Sequence, residues 1–285
     1  VNYADPELVR IITTPSVIAD ILGEGKKGDW VTKTATFPVI ESTGEVSSYG
    51  DRNNNGVVNA NVNFEPRQSY TFQGFVQWGD MELEEMGMAK IDWAAEKNVS
   101  LALVFEKTMN YAFAFGVTGL ENYGLLNDPA LPAALTPITA VWASCTGIQI
   151  WADIQDLYKQ LVRQTGGNVT MQDELILALD PMTESYLLTP TTNVYGNATV
   201  KDLLKESFPR LTVKTAMEYA TLSGNLVQLI APRLKGQRTG MSAFTEKMRA
   251  HAIVRDTSTT YQKKSAGVWG TIIKQPIAIA SKLGV

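Results

Sequence analysis

The feature that most constrains this chain is a change of period at Asp80. Before it, apolar residues recur at every second position; after it, they recur every 3.6. Val31, Lys33, Ala35, Phe37 and Val39 alternate with Thr32, Thr34, Thr36 and Pro38, which is strand spacing. A polar stretch from Glu41 to Gly56 follows and ends in Asn55-Gly56, a hairpin-turn pair whose residues both tolerate positive φ. Alternation then resumes, with Val58, Ala60, Val62 and Phe64 on one side and Asn59, Asn61, Asn63 and Glu65 on the other. Beyond Pro66 it continues as Tyr70, Phe72, Val76 and Trp78 against Thr71, Gln73 and Gln77. The pattern predicts an antiparallel ribbon over residues 30–79. Two strands alone are marginal in water, so such a ribbon must lie on something. An edge hairpin on its own core and a projecting arm on a neighbour both meet that need. The Asn-rich face and the long polar tip favour the arm.

From Asp80 the spacing predicts helix. Asp80, Glu82, Glu84 and Glu85 cluster where a helix N-terminus favours negative charge. Ile91, Ala94, Ala95, Asn98, Ala102, Phe105, Met109, Ala112 and Phe113 form one stripe, with a break or kink expected at Gly87. A helix of about 25 residues would be ~37 Å long, a spine for the rest of the fold. On the N-terminal side, residues 1–29 read as an extended arm with one short helix near Pro15 to Leu22. On the C-terminal side, a Gly- and Pro-rich loop over 116–147 leads to a helix over 147–165, stopped by Gly166-Gly167. Strands are expected at Leu175–Leu179, Leu211–Met217, Leu226–Ala231, Met248–Arg255 and Val268–Ala280. Helical turns are expected over Met182–Leu188, and a helix capped by Thr199 should run through Phe208. With 285 residues and ~150 per domain, about two domains are expected.

Composition excludes several classes. Hydrophobic residues make up 45% of the chain, so it reads as globular. No run of ~18 apolar residues is present to span a bilayer as a helix, and no membrane partner is expected. The opening residues do not spell a secretory signal, and the start at Val1 implies trimming of some kind. One cysteine, Cys145, rules out an internal disulfide and a multi-thiolate metal site, which suits a reducing compartment. The net charge of -4 conceals a split: residues 1–200 hold 11 Lys/Arg against 24 Asp/Glu, and residues 201–285 hold 14 against 5. Opposite halves can attract within one chain, attract head to tail between copies, or bring a nucleic acid. Arg233, Lys235, Arg238, Lys263 and Lys264 are the basic candidates for subunit or DNA contact.

The catalytic signals are weak. Gly23 to Gly28 spells G-x-G-x-x-G but leads into a strand, so the helix that would hold a pyrophosphate is missing. Asp51 to Gly56 begins like a calcium loop, yet its twelfth position is Val62 where a bidentate Glu is needed. His251, the lone histidine, has no G-x-S-x-G partner. Asn98, Asn168 and Asn197 open glycosylation sequons, which carry no meaning without secretion. No catalytic residue, cofactor or metal is expected. A hydrolase with paired carboxylates is the reading from a different class, and loss of activity on a single Asp or Glu substitution would support it. A nucleic-acid module lacks a groove-reading helix or aromatic platform.

The order of pieces resembles the major capsid proteins of tailed bacteriophages, with the Hong Kong 97-type fold. The residues that carry the resemblance are Gly124-Leu125-Leu126-Asn127 after the spine helix, Leu175-Ile176-Leu177-Ala178-Leu179-Asp180-Pro181, and the end from Ala266-Gly267-Val268-Trp269 through Gln275-Pro276-Ile277-Ala278-Ile279. The last third is similar to the branch that also contains encapsulins. The resemblance implies an α+β fold with an N-terminal arm (1–29), an extended β-hairpin E-loop (30–79), a P-domain with a spine helix (80–146, plus strands near 266–285) and an A-domain (147–265). It implies a structural protein of the virion capsid, built in the bacterial cytoplasm. Copies would form hexamers and pentamers of an icosahedral shell around double-stranded DNA bound without sequence specificity. Scaffold, portal and decoration proteins are the other implied partners. An encapsulin-type compartment is the alternative within the class, which a neighbouring cargo-enzyme gene would favour. Val62, Phe64, Tyr70 and Phe72 on the ribbon, and Phe105 and Met109 on the spine, are the expected inter-subunit residues. Some members cross-link an E-loop lysine to a neighbour's asparagine. Here no lysine lies between Lys33 and Lys90, which argues against that bond.

Overall fold

The computed structural model describes residues 17–52, 55–88, 91–191 and 198–285. Most of the expected arm (1–16), Asn53 and Asn54 of the calcium-like loop and the Asn197 sequon lie outside them. In chain order the elements are α1 (Ile18–Leu22), β1 (Glu24–Lys26), β2 (Thr34–Gly44), β3 (Val58–Gln68), β4 (Tyr70–Gly79), α2 (Asp80–Met88) and α3 (Trp93–Phe115). Then come α4 (Gly147–Gln164), β5 (Leu175–Leu179), α5 (Pro181–Ser185), α6 (Val200–Ser207), β6 (Leu211–Thr215), β7 (Ala220–Thr221) and β8 (Gly224–Ile230). The chain ends with β9 (Arg233–Leu234), β10 (Gln237–Arg238), β11 (Gly240–Asp256), β12 (Thr259–Ile273) and β13 (Ile279–Leu283).

The expected ribbon divides in two. β2 and β3 pair only with each other, from Thr34↔Gln68 out to Gly44↔Val58. β4 leaves them after Ser69 and becomes the edge of a four-stranded sheet ordered β1-β11-β12-β4. It pairs with β12 from Gly79↔Thr259 to Tyr70↔Val268. Alternation marks a strand but not the strand it bonds to, so the two segments look continuous in sequence. β4 stays with the sheet because α3 presses on it. A Cβ at Gly74 would stand 2.6 Å from Leu101 Cδ1 and 2.9 Å from Phe105, so any larger residue here would force those two side chains of α3 to shift.

The expected helical segment also divides. α2 and α3 are separate helices, and Gly87 lies inside α2. The second start is set by Asp92, whose carboxylate accepts from Ala95 N at 3.1 Å and caps α3. At its other end α3 is closed by Gly124-Leu125-Leu126-Asn127. Leu125 and Leu126 donate backbone N–H groups to Phe113 O and Ala114 O at 2.9 and 3.0 Å. Asn127 accepts from Gly124 N at 2.8 Å and donates to Phe115 O at 2.5 Å. Terminal carbonyls that lack helical partners are satisfied here by a loop.

A second sheet, ordered β13-β8-β5-β6 with β7 on β8, joins one parallel pair, β5 with β6, to antiparallel neighbours. All five residues of β5 are buried, as expected of a strand covered on both faces. Leu175, Leu177 and Leu179 face a core with Ile150, Ile154, Leu157 and Leu161 of α4. Ile176 and Ala178 face a second core with Ile18 and Ile21 of α1 and Met109 and Phe113 of α3. The short helix of the lead-in is therefore part of the body. Thr199 caps α6 as expected, accepting from Asp202 N while Asp202 accepts from Thr199 N.

The sheets cut across the sequence-based division. Residues 240–265, placed with the A-domain, pair with β4 and β1 in the four-stranded sheet. β13, placed with the P-domain, pairs with β8 in the other sheet. The strand expected at Met248–Arg255 is the outer part of β11, and the one expected at Val268–Ala280 is broken by a 3-10 turn at Pro276–Ala278. β13 is locked to α4 by a buried ion cluster that sequence reasoning missed. Lys282 donates to Asp153 at 2.9 Å and Asp156 at 3.1 Å, and Asp153 also accepts from Trp142 Nε1 and Ile138 N. No periodicity reveals it, because the partners lie more than a hundred residues apart.

Candidate assembly surfaces

The β2–β3 hairpin has two unlike faces. Its register puts Pro38 opposite Phe64, Ile40 opposite Val62 and Ser42 opposite Ala60. Ile40, Val62 and Phe64 are 67%, 49% and 60% exposed. The other face carries Asn59, Asn61 and Asn63. Among the described residues, the hairpin meets its own body near its base, where Ala35 and Phe37 pack by Ala243, Trp269 and Ile272.

That base is clamped. Arg67, in β3, donates to buried Asp128 at 3.1 Å and lies 5.0 Å from the centre of the Tyr123 ring. Asn122 donates to Gln68 O at 3.0 Å and Val268 O at 3.2 Å, joining ribbon, loop and sheet. Ser69 N donates to Lys33 O at 2.9 Å, closing the hairpin's mouth. A rigid stem thus carries an apolar stripe away from the body.

The sequence-derived residues fare unequally. Val62 and Phe64 lie on the exposed stripe. Tyr70 lies on β4, is 39% exposed and stacks on Phe72, which meets Phe105 edge-on at 5.1 Å and so packs into the body. Phe105 and Met109, expected at a subunit boundary, are instead buried in their own chain. The sequence stripe marks the helix face that meets the sheet, and such a face is apolar for the fold's own sake. They form the floor of a groove of about 540 Å³ with Ala102, Phe113 and Met248, rimmed by Asp20, Glu24, Glu106 and Lys247. Lys264 is likewise corrected: it is buried and donates to Asn98 at 2.6 Å. Lys263 sits over the Phe75 ring at 5.9 Å. Arg233, Lys235 and Arg238 are exposed on the β9–β10 hairpin.

At the far end of the four-stranded sheet, α2 is tied down through Glu82. Lys97 donates to both Glu82 oxygens at 2.7 and 2.8 Å, and Trp93 Nε1 donates at 2.5 Å. These bonds, the Lys97 ammonium first, hold the Glu82 carboxyl at about 2. Arg255 donates to Asp80 at 2.8 Å. His251 Nε2 lies 2.9 Å from Ser265 Oγ, with Trp30 edge-on to the ring. Among the described residues no group of three or more His, Cys, Asp or Glu comes together as a metal site, and no helix is long and apolar enough to cross a membrane.

A clamped hairpin, a spine helix closed by a Gly-Leu-Leu-Asn loop and a body built on two sheets define the Hong Kong 97-type fold, the class of tailed-phage shell subunits. Among solved structures, the capsid of Myoviridae phage XM1 matches with a TM-score of 0.83 at 13% identity, covering 100% of this chain and 97% of that one. The capsid of a native GTA particle matches at 0.67 and 11%, covering 100% and 95%. A structure from Mycobacterium phage Bobi matches at 0.66 and 12%, also covering 100% and 95%. At these identities the likeness is one of fold. No curated protein matches the sequence. The chain belongs to the Pa193 gp26 major capsid protein family, whose model matches residues 1–284. It is a structural shell protein of the tailed-phage kind, which assembles from copies of itself into the virion capsid.

Proposed function

We propose that copies of this chain close into hexamers and pentamers of an icosahedral shell around double-stranded DNA, held without sequence specificity. Assembly takes place in the bacterial cytoplasm, with portal, scaffold and decoration proteins as further partners. The subunit acts as building material, with no catalytic step, cofactor or metal. In this reading β2–β3 is the E-loop, the four-stranded sheet with α3 is the P-domain, and the β13-β8-β5-β6 sheet with α4 and α6 is the A-domain.

The observation that carries the reading is the exposed stripe of Pro38, Ile40, Val62 and Phe64 on a stem clamped at Arg67. An ordered two-stranded ribbon that buries so little of itself needs a second surface. Covering each large apolar side chain contributes about 1.5–3 kcal/mol, and a neighbouring subunit can supply that cover. To test this, residues 38–64, which carry the whole stripe, are replaced by Asn-Gly, closing the hairpin on the Phe37↔Glu65 pair. The wild-type chain should form shells visible by negative stain. The shortened chain should fold, melt near the wild-type temperature and form none. Wild-type shells should run as single bands on denaturing gels, since the ribbon tip carries no lysine to cross-link. Normal assembly of the shortened chain would refute the arm. A wild-type chain that stays monomeric at all concentrations would refute the shell.

A further inference from the structure

Among the described residues, an acidic patch and a basic patch sit at opposite ends of one strand. α2 contains Asp80, Glu82, Glu84 and Glu85 and no base, and it buries none of its residues. Asp80 and Glu82 are engaged by Arg255 and Lys97. Glu84 and Glu85 are exposed, and between them and the helix ends Met81 and Met88 are 74% and 89% exposed. At the other end, the β9–β10 hairpin presents Arg233, Lys235 and Arg238, and residues 231–240 contain no carboxylate. Lys274 joins them, its N–H bonded to Thr239 O at 2.8 Å, and Gln275 donates to Gln237 at 3.1 Å. Ile277, two residues on, is half-exposed. Among the described residues, no ion pair engages any of these four bases.

β11 starts at Gly240, directly after the hairpin, and ends at Asp256, beside the Arg255–Asp80 pair. At ~3.3 Å per residue its length would set the two patches up to about 50 Å apart, less what its bulges take up. That is several Debye lengths of ~8 Å, so they cannot compensate each other within one subunit.

We propose that α2 of one copy docks on the β9–β10 hairpin of the next, head to tail. Glu84 and Glu85 face Arg233, Lys235 and Arg238, while Met81 and Met88 rest on Ile277. The occupant is a second copy because the two patches are opposite in charge and each carries exposed apolar side chains that the other can cover. A contact between two different patches repeats around a ring and steers incoming subunits. This inference rests on the shell reading, because it needs a neighbour of the same chain.

Three full-length variants test it: Glu84→Lys with Glu85→Lys, the triple reversal Arg233→Glu, Lys235→Glu and Arg238→Glu, and the five changes combined. Each reversal alone should abolish particles in sedimentation and negative stain without shifting the melting temperature, and the combination should restore them. A reversal that assembles like wild type overturns the proposal. So does a folded combination that stays unassembled, the result expected if the hairpin served DNA instead. A second measurement does not depend on the reversals folding. In a Cys145→Ser background, one copy carries Glu85→Cys and another Lys235→Cys, and the two are mixed with a short bis-maleimide. A dimer band in the mixture, absent from either copy alone, is expected; no band overturns the contact. If the wild-type chain forms no particles the shell reading fails, and the cross-link at high concentration still decides this contact on its own.

Discussion

β3 and β5 are both strands by every local signal, yet they live in opposite environments. The first seven residues of β3 are exposed, whereas all five of β5 are buried. β5 is a wall shared by two cores, so each of its side chains is held by tertiary packing. β3 is held by one partner strand and a clamp at its base. Strand propensity is therefore silent about what a strand stabilises: β5 serves the subunit's own cores, and β3 leaves its outer residues uncovered by the subunit. Substitutions in the body should register in unfolding, and substitutions on the ribbon in assembly.

The largest expected effect on unfolding lies in the body. Lys282→Ala leaves the Asp153 carboxylate buried without its cation and should lower stability by about 3–5 kcal/mol, read from urea denaturation of the subunit. If the loss is below ~1 kcal/mol, β13 is not a structural tie. Gly74→Ala comes next. The new methyl meets Leu101 and Phe105 below contact distance, so about 1–3 kcal/mol should be lost as overpacking. An unchanged melt would mean that the Leu101 and Phe105 side chains yield without cost, and this part of the body would be no more tightly packed than the ribbon.

A smaller effect tests the junction between the two behaviours. Glu82 has a folded value of about 2 against 4.5 unperturbed. A depressed carboxyl stabilises the fold above its unfolded value and loses that contribution as pH falls through the window from 4.5 toward 2. Wild type should therefore lose more melting temperature than Glu82→Gln between pH 5 and pH 2.5. Parallel curves would remove Glu82 from the list of fold anchors. The smallest effect on unfolding belongs to Phe64→Ser, which should stay within ~0.5 kcal/mol of wild type and still reduce shell yield. A large stability loss there would return the ribbon to its own core and collapse the comparison.

Local chemistry was readable along the chain wherever neighbours in sequence decide it. The switch at Asp80, the Asn-rich and apolar faces of β3, the Thr199 cap and the buried run of β5 all follow from periodicity and capping. The exposed residues Val62 and Phe64 were legible for the same reason, since alternation assigns a face. Partnership was not legible. Nothing in the pattern separates β4 from the ribbon, because a strand reads alike whether it bonds to β3 or to β12. Phe105 and Met109 are apolar both as core residues and as contact residues, and only the packing of α3, with Phe105 against Gly74 and Met109 in the core shared with α1 and β5, puts them inside. Lys264 counts as a surface base by composition and as a buried donor to Asn98 by position. The sequence by itself determined which segments are strands, which are helices and where charge accumulates, because those follow from bonds and spacings a few residues long. Tertiary structure alone decided which sheet each strand joins, that Lys282 locks the last strand to α4, and that the acidic helix and basic hairpin stand a sheet's length apart. Those relations are set by packing between residues far apart in the chain.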